Sequence, residues 1–360
     1  MAKQEIKFAV LGFGGAGVAH VRRLSSIGGV RVVKVYDTKL EKVKKIVSKY
    51  KEITFTDRFE DILDGSVDAV SICTPDHTHF EYAVQTVKNG LHTLVEKPMF
   101  VSYRECEKME SVLRSSDVVF GVHHQMRYIP AFRAAHDLVQ SGYLGDIIVI
   151  EADYIHDMRK RATLYDDWRI DKSYPQNIVL GGMSHTLDLM RWLVGEEVEE
   201  ICAISAHKGW KDYPDVDTVV ATLRFKSDTI GKGTITISSS GPQRNTIAIY
   251  GTKGQIHNNI FRDADGHVSF TVKSDLGRKM NVLSKPFTWF LKQEPSILRD
   301  YPFSIYEHEI ACKTLLLDFV LAIRTGKPFP AGFDIGRSAV QLCLACIEAY
   351  KSRGKVTLTS

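Results

Sequence analysis

A lysine follows a run of strand-forming apolar residues in the stretch "HTLVEKPMF" at positions 92–100. Lys97 stands directly before Pro98, whose ring disfavours the helical conformation in the residue ahead of it, so the lysine is expected at a strand end. A lysine there can accept the proton of an alcohol during oxidation if burial or a nearby positive charge lowers its pKa. The alternative is a solvated lysine with no chemical role.

A histidine and an aspartate three residues apart mark a second place for chemistry. The stretch "LGGMSHTLDLMRWLVG" leads from a Gly-Gly pair into a helix for which Ser184 can serve as the N-cap. The spacing puts His185 and Asp188 on one face near the helix start, where a histidine can reach into a cleft. The alternative is a histidine that is held at the helix start by a bond to Asp188.

A glycine-rich loop follows the first apolar strand pattern, at residues 6–11. In "GFGGAG", Gly12, Gly14 and Gly17 have the G-x-G-x-x-G spacing of a dinucleotide-binding loop. Gly12 permits the tight turn, Gly14 lets the backbone approach a pyrophosphate, and Gly17 allows close packing of helix on strand. A second strand pattern, "VRVVKVYD", ends in Asp37, at about the distance of 20 residues that the motif requires.

Asp37 also indicates which dinucleotide binds. A carboxylate at this position accepts hydrogen bonds from the ribose 2′-hydroxyl and repels a 2′-phosphate, so NAD is favoured over NADP. The residues expected to bind the cofactor in this region are Gly12, Phe13, Gly14, Gly15, Ala16 and Asp37.

The elements that must position these residues alternate between strand and helix. A strand pattern ends at Cys73, a helix pattern starts near His79, and a further strand ends at Val95. This alternation predicts a doubly wound parallel sheet, in which ligands bind beyond the carboxyl ends of the strands. Further cofactor-binding residues are therefore expected at Thr74, Pro75, His79, Glu96 and Lys97.

From about residue 146 the pattern changes to strands that are separated by turns, mostly without long helices between them. This indicates a largely antiparallel sheet. With 360 residues, two domains are expected. We predict an α/β protein: an N-terminal Rossmann domain with a doubly wound parallel sheet over 1–123, then a C-terminal α+β domain with a large, mostly antiparallel open sheet over 124–360. The stretch at 282–302 is expected to be a surface excursion.

The composition argues against nucleic-acid and membrane partners. The net charge is +4, and the densest basic stretch, from Lys39, has apolar residues at helical spacing and is interpreted as a solvated helix face. The N-terminus lacks the apolar core of a signal peptide, and no apolar run has the length of a membrane span. We therefore expect a cytoplasmic protein whose cysteines stay reduced, with Cys343 and Cys346 as small core residues.

Several histidines cluster in the sequence without the spacing of a metal site. His77, His79, His123 and His124 have no cysteine pair beside them, and a zinc site needs three or four converging ligands. No metal is predicted, and His79 is interpreted as a helix-start residue facing the cofactor loop.

Taken in order, these motifs resemble the Gfo/Idh/MocA family (glucose-fructose oxidoreductase, inositol dehydrogenase and rhizopine catabolism), whose members carry an E-K-P tripeptide on a Rossmann domain. The resemblance covers nearly the whole chain and includes "VEKP", "CTPDHTHFEYA", "GVHHQMRYIPAF", "DDWRID", "HTLDLMRWLVG" and "YGTKG".

The resemblance implies an NAD(P)-dependent oxidoreductase that transfers a hydride between the nicotinamide and a hydroxyl of a sugar, sugar derivative or cyclitol. It implies that Lys97 lies beside the nicotinamide and acts with His185 of the second domain on the substrate hydroxyl. It also implies a homodimer or homotetramer formed through the C-terminal sheet. The residues that it adds to the cofactor region are Gln125, Trp168 and Arg169.

One position departs from the family. An aspartate commonly stands four residues before the histidine, and this chain has Gly181 there. Either His185 assists Lys97 alone, or another acid replaces the aspartate; the nearest are Asp166, Asp167 and Asp171. Two other functions stay open: an enzyme that uses bound NAD for transient oxidation during epimerisation or elimination, and an NAD(P)-binding sensor without turnover.

Overall fold

The computed structural model describes residues 5–41, 50–159, 168–171, 173–174, 176–241, 243–271 and 305–358. The chain forms two compact units. The first holds residues 1–124 and 312–344, and the second holds 125–311 and 345–360. This grouping differs from the expected second domain at 124–360, because residues 312–344 cluster with the first unit. The excursion expected at 282–302 and residues 42–49 of the basic stretch lie outside the described residues.

The first unit is built on a parallel sheet. Its strands are β1 (Ile6–Leu11), β2 (Val30–Tyr36), β3 (Thr54–Thr56), β4 (Ala69–Ile72), β5 (His92–Val95) and β6 (Phe120–Val122). In the described residues the strand order is β3-β2-β1-β4-β5-β6, and every neighbouring pair is parallel. The order changes direction between β1 and β4, which is the switch point where such sheets bind ligands. This confirms the predicted Rossmann fold.

Helices connect these strands and cover the sheet. They are α1 (Gly15–Leu24), α2 (His79–Lys88) and α3 (Tyr103–Leu113). Strand β4, "AVSI", is buried along its whole length, as expected for a central strand with helices on both faces. Helix α3 begins with a capping box, in which Ser102 and Glu105 each accept from the other's backbone N–H.

Residues 312–344 complete the core of the first unit. The ring of Phe319 meets the ring of Phe8 of β1 edge to face, with centroids 6.4 Å apart. At the end of β6, the N–H of Val122 donates to the carbonyl of Ala331 at 2.8 Å. Phe8 and Phe319 are both fully buried. Burial of side chains of this size contributes about 1.5–3 kcal/mol each, so this segment stabilises the sheet directly.

The second unit carries the other sheet. Its strands are β7 (Ile147–Ile155), β8 (Val198–Ala206), β9 (Thr218–Phe225), β10 (Ile230–Thr236), β11 (Arg244–Gly251), β12 (Gly254–His257), β13 (Ile260–Asp263), β14 (Val268–Thr271) and β15 (Val356–Thr357). Among the described residues the order is β14-β13-β12-β11-β7-β10-β9-β8-β15. Only β7 and β10 pair in parallel there. The predicted large, mostly antiparallel sheet is confirmed.

Helices α4 (Pro130–Gln140) and α5 (Ser184–Val194) belong to the second unit, and two long helices, α6 (Ile305–Thr325) and α7 (Phe333–Ser352), close the chain. Cys343 and Cys346 are buried in α7, as predicted, and burial raises the pKa of the Cys346 thiol to about 12. No helix in the described part of the chain combines the length and apolarity that crossing a bilayer requires.

The start of α5 differs from the sequence prediction. Ser184 was expected as the N-cap, but it is the first residue of the helix, and its Oγ has no hydrogen-bond partner among the described residues. A π-helical turn, Val179–Met183, leads straight into α5, so the backbone is already helical ahead of Ser184. The side chain that bonds to the first backbone N–H of this helical run is that of Asn177, whose Oδ1 accepts from the N–H of Val179 at 2.9 Å.

Candidate active site

The carboxyl edge of the parallel sheet brings together the first group of predicted residues. Backbone hydrogen bonds continue one residue past the strands: the N–H of Gly12 donates to Tyr36 at 2.7 Å, and that of Cys73 donates to Leu11 at 2.7 Å. The strand ends are thereby held level with one another. The predicted residues that follow the strand ends at this edge are Gly12, Asp37, Thr74, Glu96 and Lys97.

The glycine loop has the shape of a phosphate cradle. Gly12 has φ of +84°, and a Cβ there would lie 2.7 Å from the carbonyl oxygen of Cys73; a Cβ at Gly17 would lie 1.8 Å from that of Gly12. Around Gly14 nothing lies within 4 Å of such an atom, so the start of α1 is open to a ligand. Gly15 and Ala16 lie in the first turn of α1, where backbone N–H groups lack intrahelical acceptors and suit a pyrophosphate.

Asp37 is fixed next to this loop. Its Oδ2 accepts from the N–H of Phe13 at 2.7 Å, and its Oδ1 accepts from the N–H of Lys39 at 2.8 Å. The ring of Phe13 is buried and meets Phe55 edge to face, with centroids 5.0 Å apart. Phe13 can therefore touch a cofactor only through its backbone, while the Asp37 carboxylate lies at the loop, where a ribose would follow the phosphates.

His79 joins two segments of the same edge. It is the first residue of α2, as expected, and is fully buried. Its Nδ1 lies 2.8 Å from the carbonyl oxygen of Pro98, and its Nε2 lies 2.9 Å from that of Thr74. The ring thus ties the loop that contains Thr74 and Pro75 to the segment after Lys97. This geometry favours a positioning role for His79.

Glu96 stands at the centre of a buried cluster. Its Oε1 lies 3.0 Å from Nε2 of His20 and 3.2 Å from Nδ1 of His123, and its Oε2 accepts from the backbone N–H of Lys97 at 3.1 Å. His20 Nδ1 lies 2.8 Å from Oγ of Ser71. The carboxylate therefore fixes the backbone on which the candidate lysine stands.

The charges in this cluster support one another. Burial acts to raise the pKa of Glu96, yet His123 and His20 hold it well below its ordinary value. Burial acts to lower the pKa of His20, but Cys73 and Glu96 raise it to about 10. An anionic glutamate beside a cationic histidine is the arrangement that these shifts describe.

The same three side chains, His20, Glu96 and His123, bring ligand-type atoms within 4.8 Å of one another. Both ring nitrogens of His20 are engaged, one by Ser71 and one by Glu96, which is typical of an ion-pair cluster rather than an open coordination site. Sequence reasoning missed His20. Its position three residues after Gly17, on the same face of α1, was the available signal.

His185 lies in a polar environment within the second unit. It is 3% exposed, in the first turn of α5. Nε2 of Gln125 lies 3.5 Å from its Nε2, and the ring of Tyr154 stacks beside its ring with centroids 5.8 Å apart. Asp188, on the same helix face, is held by Arg127 through two hydrogen bonds of 2.8 and 2.6 Å. Sequence reasoning missed this bidentate pair.

A glutamine amide fills the space beside Gly181. A Cβ at Gly181 would lie 2.5 Å from Cδ of Gln176 and 2.6 Å from its Nε2. Gly182, the next residue, packs against the sheet, where a Cβ would lie 2.4 Å from Cδ1 of Ile235. Position 181 is where the similar family commonly has an aspartate. In this chain the space beside that position is occupied by the amide of Gln176, five residues earlier.

The remaining predicted residues lie in or near an irregular segment. Trp168 and Arg169 form a short 3-10 turn, with the guanidinium 4.7 Å from the indole centroid. Asp171 is exposed, and its Oδ1 accepts from the N–H of Ser173 at 2.8 Å. Asp166 and Asp167 lie outside the described residues.

Comparison with known proteins identifies both units. Residues 6–124 match the family described as an oxidoreductase family with an NAD-binding Rossmann fold, and residues 132–257 match the GFO/IDH/MocA C-terminal domain. Together the two matches cover about two thirds of the chain.

Individual relatives extend this similarity. The chain is 24% identical over 360 residues to the myo-inositol 2-dehydrogenase of Thermotoga maritima, covering 98% of each protein. It is 27% identical over 230 residues to the levoglucosan dehydrogenase of Pseudarthrobacter phenanthrenivorans, covering 58% of this chain and 59% of the relative. The fold is that of scyllo-inositol dehydrogenase from Lactobacillus casei with bound NAD(H) and scyllo-inositol, with a TM-score of 0.80, 19% identity, and coverage of 99% of this chain and 100% of that one.

Proposed function

Because the chain belongs to the Gfo/Idh/MocA family of oxidoreductases, whose N-terminal domain is an NAD-binding Rossmann fold, we propose that it oxidises a secondary hydroxyl of a sugar, sugar derivative or cyclitol with NAD. The observation that carries the proposal is the carboxyl edge of the parallel sheet. There an open glycine cradle, a fixed carboxylate at Asp37 and the strand-end Lys97 follow neighbouring strands. The names of the inositol and levoglucosan dehydrogenases support this class of substrate.

Lys97 is assigned the role of the base that accepts the proton of the substrate hydroxyl. NAD, when bound, supplies the hydride acceptor, and oxidation then needs a base for the hydroxyl proton. The neutral amine of Lys97 accepts that proton, and a positive nicotinamide nearby favours the neutral form. The hydrogen bond that the Lys97 N–H donates to Glu96 and the contact of His79 with the Pro98 carbonyl hold the segment in place on both sides of the lysine.

His185 is assigned the second role in proton transfer. Its burial in the first turn of α5 and its neighbours Gln125 and Tyr154 make a polar environment that suits a substrate hydroxyl. Since Gln176 lies beside Gly181, an amide replaces the family's carboxylate, and an amide does not accept a proton from an alcohol. We therefore assign the assisting role to His185 alone.

NAD is proposed as the preferred cofactor because the Asp37 carboxylate stands at the glycine loop, where a 2′-phosphate would be repelled. The further cofactor contacts proposed from the sequence are Phe13 through its backbone, Thr74, Pro75, Glu96, Gln125, Trp168 and Arg169. His79, also predicted there, is fully buried and is proposed to act by positioning the loop that contains Thr74.

The assembly is proposed to be a homodimer or homotetramer that forms through the sheet of the second unit, in the cytoplasm. Ile204 of β8 is 80% exposed and stands opposite Val220 of β9, which is 40% exposed. Neighbouring exposed apolar residues on a sheet face are typical of an interface. Sedimentation of the full chain tests this proposal, and a monomer at micromolar concentration would contradict it.

The decisive experiment offers a panel of inositols, levoglucosan and common sugars to the purified protein with NAD or NADP. Reduced nicotinamide should accumulate, measured by its absorbance, with at least one polyol and preferentially with NAD. An enzyme that returns the hydride to its product would convert substrate without accumulating reduced nicotinamide. A sensor would bind ligands without any conversion, and either result would contradict the proposed dehydrogenase.

A further inference from the structure

Asn245, at the start of β11, has a buried amide that no group among the described residues satisfies. The residue is 3% exposed, and neither its Oδ1 nor its Nδ2 has a hydrogen-bond partner in the described part of the chain. Buried amides are nearly always paired, because an unpaired one loses its bonds to water and gains none. An unpaired amide inside a protein therefore points to a partner that comes from outside.

The strand pattern makes this residue stand out. On β11 the buried positions alternate, and the next two after Asn245 are Ile247 and Ile249, which are 2% and 0% exposed. An apolar residue at position 245 would continue that buried row and would stabilise the sheet. The chain places a carboxamide there instead.

The pairing of β11 with β7 places Asn245 on the sheet face near His185. Asn245 pairs directly with Tyr154 of β7, and directly opposed residues share one face of a sheet, with Cβ atoms about 4.5–5.5 Å apart. The ring of Tyr154 in turn stacks beside the ring of His185. The hydroxyl of Tyr154 also lies 3.4 Å from Nδ1 of His156. These side chains all belong to the second unit.

We propose that Asn245 is a specificity-determining residue that binds a substrate hydroxyl next to the one being oxidised. A carboxamide offers an acceptor oxygen and an NH₂ group with two donor hydrogens, both bonded to the same carbon, and this pair complements two neighbouring hydroxyls of a vicinal diol, one donating and one accepting. The inference rests on the proposed function and narrows the substrate to polyols with adjacent hydroxyls, rather than isolated alcohols.

The test compares Asn245→Leu with the wild type and with Thr246→Ala, a matched control on the opposite face of the same strand. Binding of myo-inositol, scyllo-inositol and levoglucosan to the NAD-saturated full chain is measured by calorimetry, and turnover is measured in parallel. Asn245→Leu should lower the affinity for the best-bound polyol by about 10- to 100-fold, because the amide that binds a hydroxyl is removed. The affinity for NAD should change less than twofold. Thr246→Ala should match the wild type.

Two further measurements separate recognition from a structural role. Asn245→Leu should unfold at a temperature no lower than the wild type, since no protein hydrogen bond is lost; a clear drop would show that the amide is structural. Analogues of the best polyol that lack one hydroxyl should identify one whose loss weakens binding to the wild type but not to Asn245→Leu. Asn245→Ser, a smaller change, serves if the leucine variant does not fold.

The outcomes for the two proposals are distinct. Turnover with equal polyol affinity in the wild type and Asn245→Leu would overturn the role of Asn245 and leave the dehydrogenase intact. Polyol binding that Asn245→Leu weakens, without any turnover, would support the role and contradict the dehydrogenase. If no polyol in the panel binds to the wild type, both proposals fail.

Discussion

The two regions that carry the candidate chemistry are built in different ways. At the edge of the parallel sheet, the side chains of Asp37 and His79 are fixed by backbone atoms: Asp37 accepts from two amides, and His79 contacts two carbonyls. Around His185 the neighbours are the side chains of Gln125 and Tyr154, and four residues earlier in the chain the Gln176 amide lies beside Gly181. Backbone geometry follows from the fold, so the first region tolerates little variation. Side-chain neighbours can change one at a time, and we infer that the second region sets substrate choice.

The largest effect is expected at the sheet edge. Lys97→Met keeps the length of the side chain and removes the base, so kcat should fall by about 100- to 10,000-fold, the range for a positioned acid-base group. NAD affinity, measured by fluorescence titration, should stay within a few-fold of the wild type, since the cradle is unchanged. Near-normal turnover would show that Lys97 is a solvated strand end.

His185→Ala tests the other region. Turnover should fall by roughly 100-fold with little change in NAD affinity, because acid-base assistance is lost and the cofactor cradle is untouched. Asp171→Asn is the matched control, since that carboxylate is exposed and bonded to Ser173, and its turnover should match the wild type. If the Asp171 variant is the slower of the two, an acid near Trp168 has taken over the role.

The Glu96 cluster predicts how stability depends on pH. In the folded protein the pKa of His20 is raised to about 10, from an ordinary value of about 6.5. The contribution of protonated His20 to the free energy of unfolding is therefore complete below about pH 6.5 and is lost as the pH rises through about 10. Between pH 7 and 9.5 the wild type should lose up to about 1.4 kcal/mol per pH unit from this group. In Glu96→Gln that slope should flatten in part, because the contribution of Glu96 to the raised pKa of His20 is lost while that of Cys73 remains. Urea unfolding at the two pH values measures both slopes, and equal slopes would contradict the ion pair.

The smallest effect concerns the choice between the two nicotinamide cofactors. NAD should bind at least about tenfold more tightly than NADP, or about 1.4 kcal/mol, because Asp37 repels the 2′-phosphate. Asp37→Ser should narrow this ratio, measured by calorimetry, and should leave the unfolding temperature within a few degrees of the wild type. Equal wild-type affinities for the two cofactors would refute the assignment.

The sequence was informative where a backbone requirement selects a residue type. Gly12 and Gly17 have no room for a Cβ, so their spacing predicted the loop, and strand alternation predicted both sheets. It was less informative where a partner is distant along the chain. The Arg127 contact with Asp188 spans 61 residues, and nothing in the pattern around either residue indicates it. The helix start was misjudged at Ser184 because a π-helical turn, which has no clear sequence signal, precedes it.

The clustering of residues 312–344 with the first unit bears on how the protein matures during synthesis. Phe8 is translated long before Phe319, which packs against it, and Val122 is translated long before Ala331, to which it donates a hydrogen bond. The core of the nucleotide-binding unit is thus completed only after residues 125–311, which belong to the second unit, have been translated. Until then the apolar surface of the first sheet that Phe319 covers stays exposed, so the unit that is begun first is closed after most of the second unit has been made.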